Sequence, residues 1–184
     1  MEAHSATTPD RVRKLKVLVS AASTHGATSE IAQVIGQALS EKGFAVTALP
    51  PEQVQSVDGY DAVIIGSAVY MGHWLDPAKD LVSRCREALP GRPVWLFSSG
   101  PVGKPSGKLA QAMSTDPVDV PAIHAAARAR DHRMFAGKLD RTVLSRPQRA
   151  ALLVFRGLDG DFRDWSDIRQ WADGIAQQLA LAPR

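Results

Sequence analysis

The chain has 184 residues, a length typical of one domain. Hydrophobic residues make up 45% and charged residues 22%, which excludes a wholly disordered chain, and no apolar run is long enough for a membrane-spanning helix. The first residues are polar, so we do not expect a secretory signal. Cys85 is the only cysteine, which excludes an internal disulfide and a cysteine-built metal site. We therefore expect a cytoplasmic protein.

Basic residues are concentrated in one part of the chain. Segment 128–156 carries a net charge of +6, whereas the whole chain carries +3, so the remainder is at −3. Such a segment can attract an acidic lipid, an acidic partner or a carboxylated substrate. The alternative is a face of arginines that simply contacts water.

Strand and helix patterns alternate along the chain. Residues 1–14 have no periodicity and are predicted to be a flexible tail, followed by one domain over 15–184. The predicted strands cover 15–20, 44–49, 62–66, 93–98 and 132–139. The predicted helices cover 28–42, 76–89 (with Asp76 as its N-cap) and 164–181, the last burying Trp165 and Trp171. This alternation predicts an α/β fold with a doubly wound, five-stranded parallel sheet in a single domain.

Two long excursions interrupt the pattern, at 99–127 and 141–161. Long excursions in a compact domain are usually functional or mobile.

The loop after the first strand has the composition of a phosphate site. Its residues are Ser23, Thr24, His25, Gly26, Ala27 and Thr28, and a helix follows directly. Free N–H groups, the helix dipole and three hydroxyls suit a monoester phosphate held without lysine or arginine. The alternative is an ordinary Ser/Thr-rich N-cap.

Other nucleotide motifs are absent or incomplete. Gly26 is the only glycine in the first loop, so the dinucleotide fingerprint is missing. The segment from Gly103 to Leu109 has glycines one residue too close for a Walker loop and lacks its Ser/Thr.

Two further loops fit a flat aromatic ring. After the third strand come Ser67, Ala68, Val69, Tyr70, Met71, Gly72 and His73. After the fourth come Ser99, Gly100, Pro101, Val102 and Gly103. Because ligands of open α/β sheets bind at the carboxyl ends of the strands, these loops and the phosphate loop together predict an FMN site. His73 is the candidate for proton exchange, with a simple hydrogen-bonding role as its alternative.

From Ser23 to Thr28 the chain resembles the phosphate loop T-x-T-G-x-T of the flavodoxin family, with His25 in place of the inner threonine. The resemblance extends over nearly the whole chain. It implies a flavodoxin-like fold, bound FMN and electron exchange at the flavin ring.

Within that family the chain is more similar to the menaquinone-dependent protoporphyrinogen oxidase branch. The loop from Gly66 to His73 resembles the branch's glycine-histidine loop, and the segment from Met134 to Leu139 resembles its fifth strand. The resemblance implies electron flow from a porphyrinogen through FMN to a quinone, in heme biosynthesis. No nucleic-acid partner is expected.

The inserted segment 141–157 is both basic and apolar, and the same branch has a comparable insertion. Such a segment is able to lie on the inner face of an anionic membrane, or to pack on the sheet with its arginines in water.

Two other functions stay open for the whole chain. One is a soluble electron carrier, and the other is a cofactor-free binding module, which the exchange at His25 favours.

Overall fold

The computed structural model describes residues 13–100, 116–139 and 160–182. The predicted tail (1–14, apart from its last two residues), the insertion 141–157 and the loop residues Pro101, Val102 and Gly103 lie outside these ranges. At the start of the described chain, Arg13 forms an ion pair with Asp61.

Five parallel strands form the main sheet, in the spatial order β2-β1-β3-β5-β6. They are β1 (Lys16–Ala22), β2 (Ala45–Leu49), β3 (Ala62–Tyr70), β5 (Val94–Gly100) and β6 (Asp131–Ala136). The short strand β4 (His73–Trp74) pairs antiparallel with the end of β3. The doubly wound fold predicted from the sequence is confirmed, but the sheet has six strands rather than five.

Four helices cover the two faces of this sheet in the described ranges. They are α1 (Ala27–Glu41), α2 (Asp76–Arg84), α3 (Val120–Ala127) and α4 (Trp165–Leu181), and short 3₁₀ turns lie at Pro51–Gln53 and Leu89–Gly91. One buried cluster joins α1 and α4 to one face, and a second joins α2 and α3 to the other. The central strands are buried on both faces, as parallel strands between two helical layers should be.

The turn after β3 differs from the sequence prediction. Residues Ser67 to Tyr70 continue the strand, and Met71 and Gly72 form a two-residue turn into β4. Both turn residues have positive φ, at 52° and 81°, which is the backbone that a tight hairpin needs. The predicted loop is therefore a β-hairpin.

Other predicted boundaries also change. Helix α3 lies inside the predicted excursion 99–127, and the second helix ends at Arg84 rather than near Leu89. Leu75, not Asp76, is the N-cap of α2. The predicted last strand is divided at Gly137 into β6 and β7 (Lys138–Leu139), which pairs with β8 (Gly160–Asp161).

Two backbones approach each other closely at that break. A Cβ on Gly137 would lie 2.4 Å from the carbonyl oxygen of Gly100, so only glycine fits there. Gly66 is a second position of this kind, because a Cβ would lie 2.1 Å from the ring of Phe97. The missing Cβ lets that ring pack across the centre of the sheet.

Candidate functional site

Three chain segments meet at the carboxyl edge of the sheet. Ala22, at the end of β1, pairs with Ser67 of β3, and Ala68 of β3 pairs with Ser99 of β5. The β1–α1 loop, the hairpin turn and the end of β5 are therefore neighbours at one edge. The sequence predicted all three as parts of one site, and the topology brings their described residues together.

The N-terminus of α1 offers the backbone groups and the dipole that favour a bound anion. Gly26 is its N-cap with φ at 84°, and no side chain in the described residues caps the helix. The first N–H groups of a helix lack partners within it, and the dipole there favours negative charge. Thr28 is 2% exposed, whereas Thr24 and His25 lie at the surface.

The hairpin turn exposes apolar surface at the same edge of the sheet. The side chain of Met71 is 97% exposed and that of Tyr70 is 39% exposed. A left-handed conformation at a non-glycine residue such as Met71 is strained, and strained backbone often marks a ligand site. This exposed surface is suited to be covered by an aromatic ring.

One predicted site residue, Ser67, already uses its hydroxyl for hydrogen bonds within the protein. The hydroxyl of Ser67 donates to the carbonyl of Ala68 at 2.8 Å and accepts from the N–H of Leu75 at 2.9 Å. Ser67 and Ser99 are both buried. Ser67 therefore helps to hold the hairpin, and its hydroxyl has little capacity left for a ligand.

His73 lies next to a carboxylate that the sequence analysis missed. Its Nδ1 is 3.2 Å from Oδ2 of Asp119, and the same carboxylate accepts the N–H of Trp74 at 2.8 Å. Burial works against ionisation of Asp119, but these two hydrogen bonds lower its pKa below the ordinary value. The sequence signal was present, because Asp119 precedes a short helix with proline near its start.

Arg163 is a second residue that the sequence analysis did not consider. It lies two residues after β8, and its guanidinium reaches the first turn of α1. Trp165, which was predicted to be buried, is 37% exposed, and its ring lies over that guanidinium, 4.3 Å from centroid to Cζ. Trp171 is only partly buried.

The architecture is that of a doubly wound α/β protein, a class in which ligands bind at the carboxyl ends of the strands. The family model for the flavodoxin domain matches residues 18–164, which is most of the chain. The chain therefore belongs to the flavodoxin-domain family, and this membership implies FMN as its cofactor. No curated protein matches the sequence.

Several solved structures share the fold. A flavodoxin from the domain Archaea has a TM-score of 0.61 at 16% identity, over 90% of this chain and 99% of that one. A cysteine-to-alanine mutant of the flavodoxin from Pseudomonas aeruginosa has a TM-score of 0.59 at 18% identity, with the same coverage. The flavodiiron core of Flv1 from Synechocystis has a TM-score of 0.62 at 19% identity, over 94% of this chain and 38% of that chain. At these identities the likeness shows the fold.

The uncapped helix terminus and the exposed apolar turn fit the two ends of FMN. The phosphate needs hydrogen-bond donors and a favourable dipole, and the ring needs apolar surface that is open to a ligand. The helix terminus and the apolar turn lie at the same edge of the sheet.

In the described ranges, no helix is both long and apolar enough to cross a membrane.

Proposed function

We propose that the chain binds FMN at this edge and passes electrons between a small reduced substrate and an acceptor. The observation that carries the proposal is the uncapped start of α1, with Gly26 as its N-cap, at the same edge of the sheet as the exposed Tyr70–Met71 turn. When bound, FMN supplies reversible redox chemistry, and the protein positions it.

The residues fall into two groups under this proposal. The phosphate group comprises Ser23, Thr24, His25, Gly26, Ala27 and Thr28. The ring group comprises Ala68, Val69, Tyr70, Met71 and Gly72 on one side and Ser99 and Gly100 on the other. The backbone of these strand ends offers donors and acceptors where the side chains are buried or apolar.

His73 is the proposed proton-exchanging residue. An ionised Asp119 accepts a hydrogen from Nδ1, so Nε2 of a neutral imidazole is left as the acceptor. The side chain is 51% exposed, which keeps Nε2 in contact with water or a ligand. Asp119 would then orient the ring rather than react itself.

The narrower proposal is oxidation of a porphyrinogen with a quinone as acceptor. Its support is the resemblance stated above and the position of the residues that flank the inserted segment 141–157. Residues 138–139 and 160–161, which flank that segment, pair with each other, and the N–H of Phe162 donates to the carbonyl of Gly137 at 3.2 Å. Gly137 in turn lies against Gly100 of the candidate site. The described residues that flank the segment 141–157 therefore lie close to this site.

Arginines in that segment would attract the carboxylates of a porphyrin-type substrate, or an anionic membrane surface at the cytoplasmic face. The alternatives are a soluble electron carrier and a cofactor-free binding module.

Binding of FMN is tested first, by the visible spectrum and by quenching of flavin fluorescence on titration with the purified protein. Thr28→Val should weaken FMN binding by about ten-fold, because it removes one hydroxyl donor to the phosphate. Thr47→Val, in the distant strand β2, is the matched control and should leave affinity unchanged. Protein that stays colourless with excess FMN would support the cofactor-free alternative.

The substrate is tested next with the FMN-loaded protein. Anaerobic mixing with protoporphyrinogen IX should bleach the flavin absorbance in a saturable way, and menadione should restore it. Loaded protein that protoporphyrinogen IX does not reduce is an electron carrier or acts on a different substrate, and the narrower proposal then fails.

A further inference from the structure

Arg163 is the one charged residue that is buried in the described chain, with a side chain 3% exposed. Its Nε and Nη2 donate to the two oxygens of Asp161, at 2.8 and 2.6 Å. Its Nη1 donates to the carboxylate of Glu30 at 2.7 Å and to the carbonyl of Ala27 at 3.1 Å. The ring of Trp165 covers the guanidinium from one side. An arginine with this many partners has a single, well-defined position.

Two of these partners belong to the first turn of α1. Ala27 is the first residue of the helix and Glu30 is the fourth, and the N–H of Glu30 donates to the carbonyl of Gly26 at 2.9 Å. The guanidinium therefore holds the helix turn whose free N–H groups form the phosphate end of the site. Asp161 fixes the guanidinium in turn, as its bidentate partner.

Glu30 presents a problem for a phosphate site. A carboxylate in the first turn is favourable for the helix dipole, but it repels a phosphate dianion that binds at the same turn. Arg163 offsets this charge through a direct ion pair with Glu30. Without it, the two carboxylates of Glu30 and Asp161 would have no guanidinium to neutralise them close to the first turn of α1.

We propose that Arg163 is a positioning residue for the cofactor phosphate: it holds the first turn of α1 in place and neutralises Glu30, so that the site prefers FMN to riboflavin. This inference rests on the proposed function. It assigns the selectivity for the phosphorylated flavin to a residue far along the chain from the phosphate loop. Arg163 also connects the first turn of α1 to the β7–β8 pair, which flanks the segment 141–157.

The experiment compares dissociation constants for FMN and riboflavin by fluorescence titration. Arg163→Met should weaken FMN binding by about ten-fold and change riboflavin binding by less than about two-fold. The matched control is Arg169→Met, because Arg169 pairs with Glu41 at the opposite end of α1, at 3.3 Å. The control should alter neither constant. Equal weakening for both flavins in Arg163→Met would overturn the proposal, since it would show a general structural effect.

Charge neutralisation is separated from packing by a second variant. Adding Glu30→Gln to Arg163→Met removes one of the two uncompensated carboxylates and should recover part of the lost FMN affinity without changing that for riboflavin. No recovery would contradict the role given to Glu30.

If Arg163→Met does not fold, Glu30→Gln alone carries the test. It changes the net charge of the Arg163, Asp161 and Glu30 group from −1 to zero and should raise the ratio of FMN to riboflavin affinity, whereas an unchanged ratio overturns the proposal. A wild-type protein that binds neither flavin removes the proposed function itself. That outcome is distinct from wild-type binding with unchanged selectivity in the variants.

Discussion

The indole nitrogen of Trp74 lies 2.7 Å from the hydroxyl oxygen of Ser98. The same hydroxyl is 2.8 Å from Nε2 of His132. An indole only donates, so Ser98 accepts from Trp74; a neutral His132 whose Nδ1 donates to Asp116 then accepts the hydroxyl hydrogen of Ser98. Nε2 is then the unprotonated nitrogen, and Nδ1 faces Asp116 at 3.3 Å. This chain of bonds joins the hairpin, β5 and β6 directly behind the candidate site.

Ser98→Ala should destabilise the protein by about 2–3 kcal/mol, because it leaves two buried polar groups without a partner. The measurement is urea unfolding at neutral pH. Ser83→Ala, at an exposed position of α2, is the control and should change the free energy of unfolding by less than about 0.5 kcal/mol. Equal values for the two variants would show that the network contributes nothing measurable.

Stability should decrease as the pH is lowered through the titration of His132. Burial lowers the pKa of this imidazole below the ordinary value of about 6.5, although Asp116 and Asp131 act in the opposite direction and His124 in the same one. The unfolded chain therefore binds the proton more readily than the folded chain. Stability is full above the unfolded pKa and decreases as pH falls below it, until the folded pKa is passed.

This dependence is measured by unfolding experiments between pH 8 and about 5, compared with His132→Gln. The variant keeps a hydrogen-bonding side chain but has no proton to gain, so its stability should change less over the same interval. Parallel pH profiles for the two proteins would contradict the assignment.

Gly66→Ala should cost about 1–3 kcal/mol or more, since the new methyl group would overlap the ring of Phe97 at the centre of the sheet. Gly174→Ala, in the middle of α4, has the opposite expectation. A Cβ there meets no atom within 4 Å, and alanine should stabilise the helix by about 0.5–1 kcal/mol. Thermal unfolding of both variants checks the pair, and a stable Gly66→Ala protein would refute the close approach to Phe97.

Met71→Asn should separate stability from cofactor binding. Asparagine tolerates positive φ better than methionine, so the cofactor-free protein should gain about 0.5–1 kcal/mol. The same change removes the exposed apolar side chain proposed to contact the flavin ring, and FMN affinity should decrease. Chemical unfolding without FMN and a fluorescence titration provide the two readings, and unchanged FMN affinity would remove Met71 from the site.

Only some residues of the candidate site could be predicted from the sequence. The phosphate loop was visible because a strand, a short polar loop with one glycine and a helix follow one another within a few residues. Asp119 has a local signal before a helix, but its pairing with His73, 46 residues away, has none. Arg163 was missed because it reaches Ala27 over 136 residues.

By itself the sequence determined the alternation of strands and helices, the doubly wound sheet and the three segments at its carboxyl edge. These follow from periodicity, glycine placement and helix ends, which are properties of neighbouring residues. The tertiary structure alone decided that Ser67 to Trp74 form a hairpin and that Val120–Ala127 form a helix. It also decided that Arg163 donates hydrogen bonds to the first turn of α1. Such contacts join distant parts of the chain, and only the packing of strands and helices brings them within hydrogen-bonding distance.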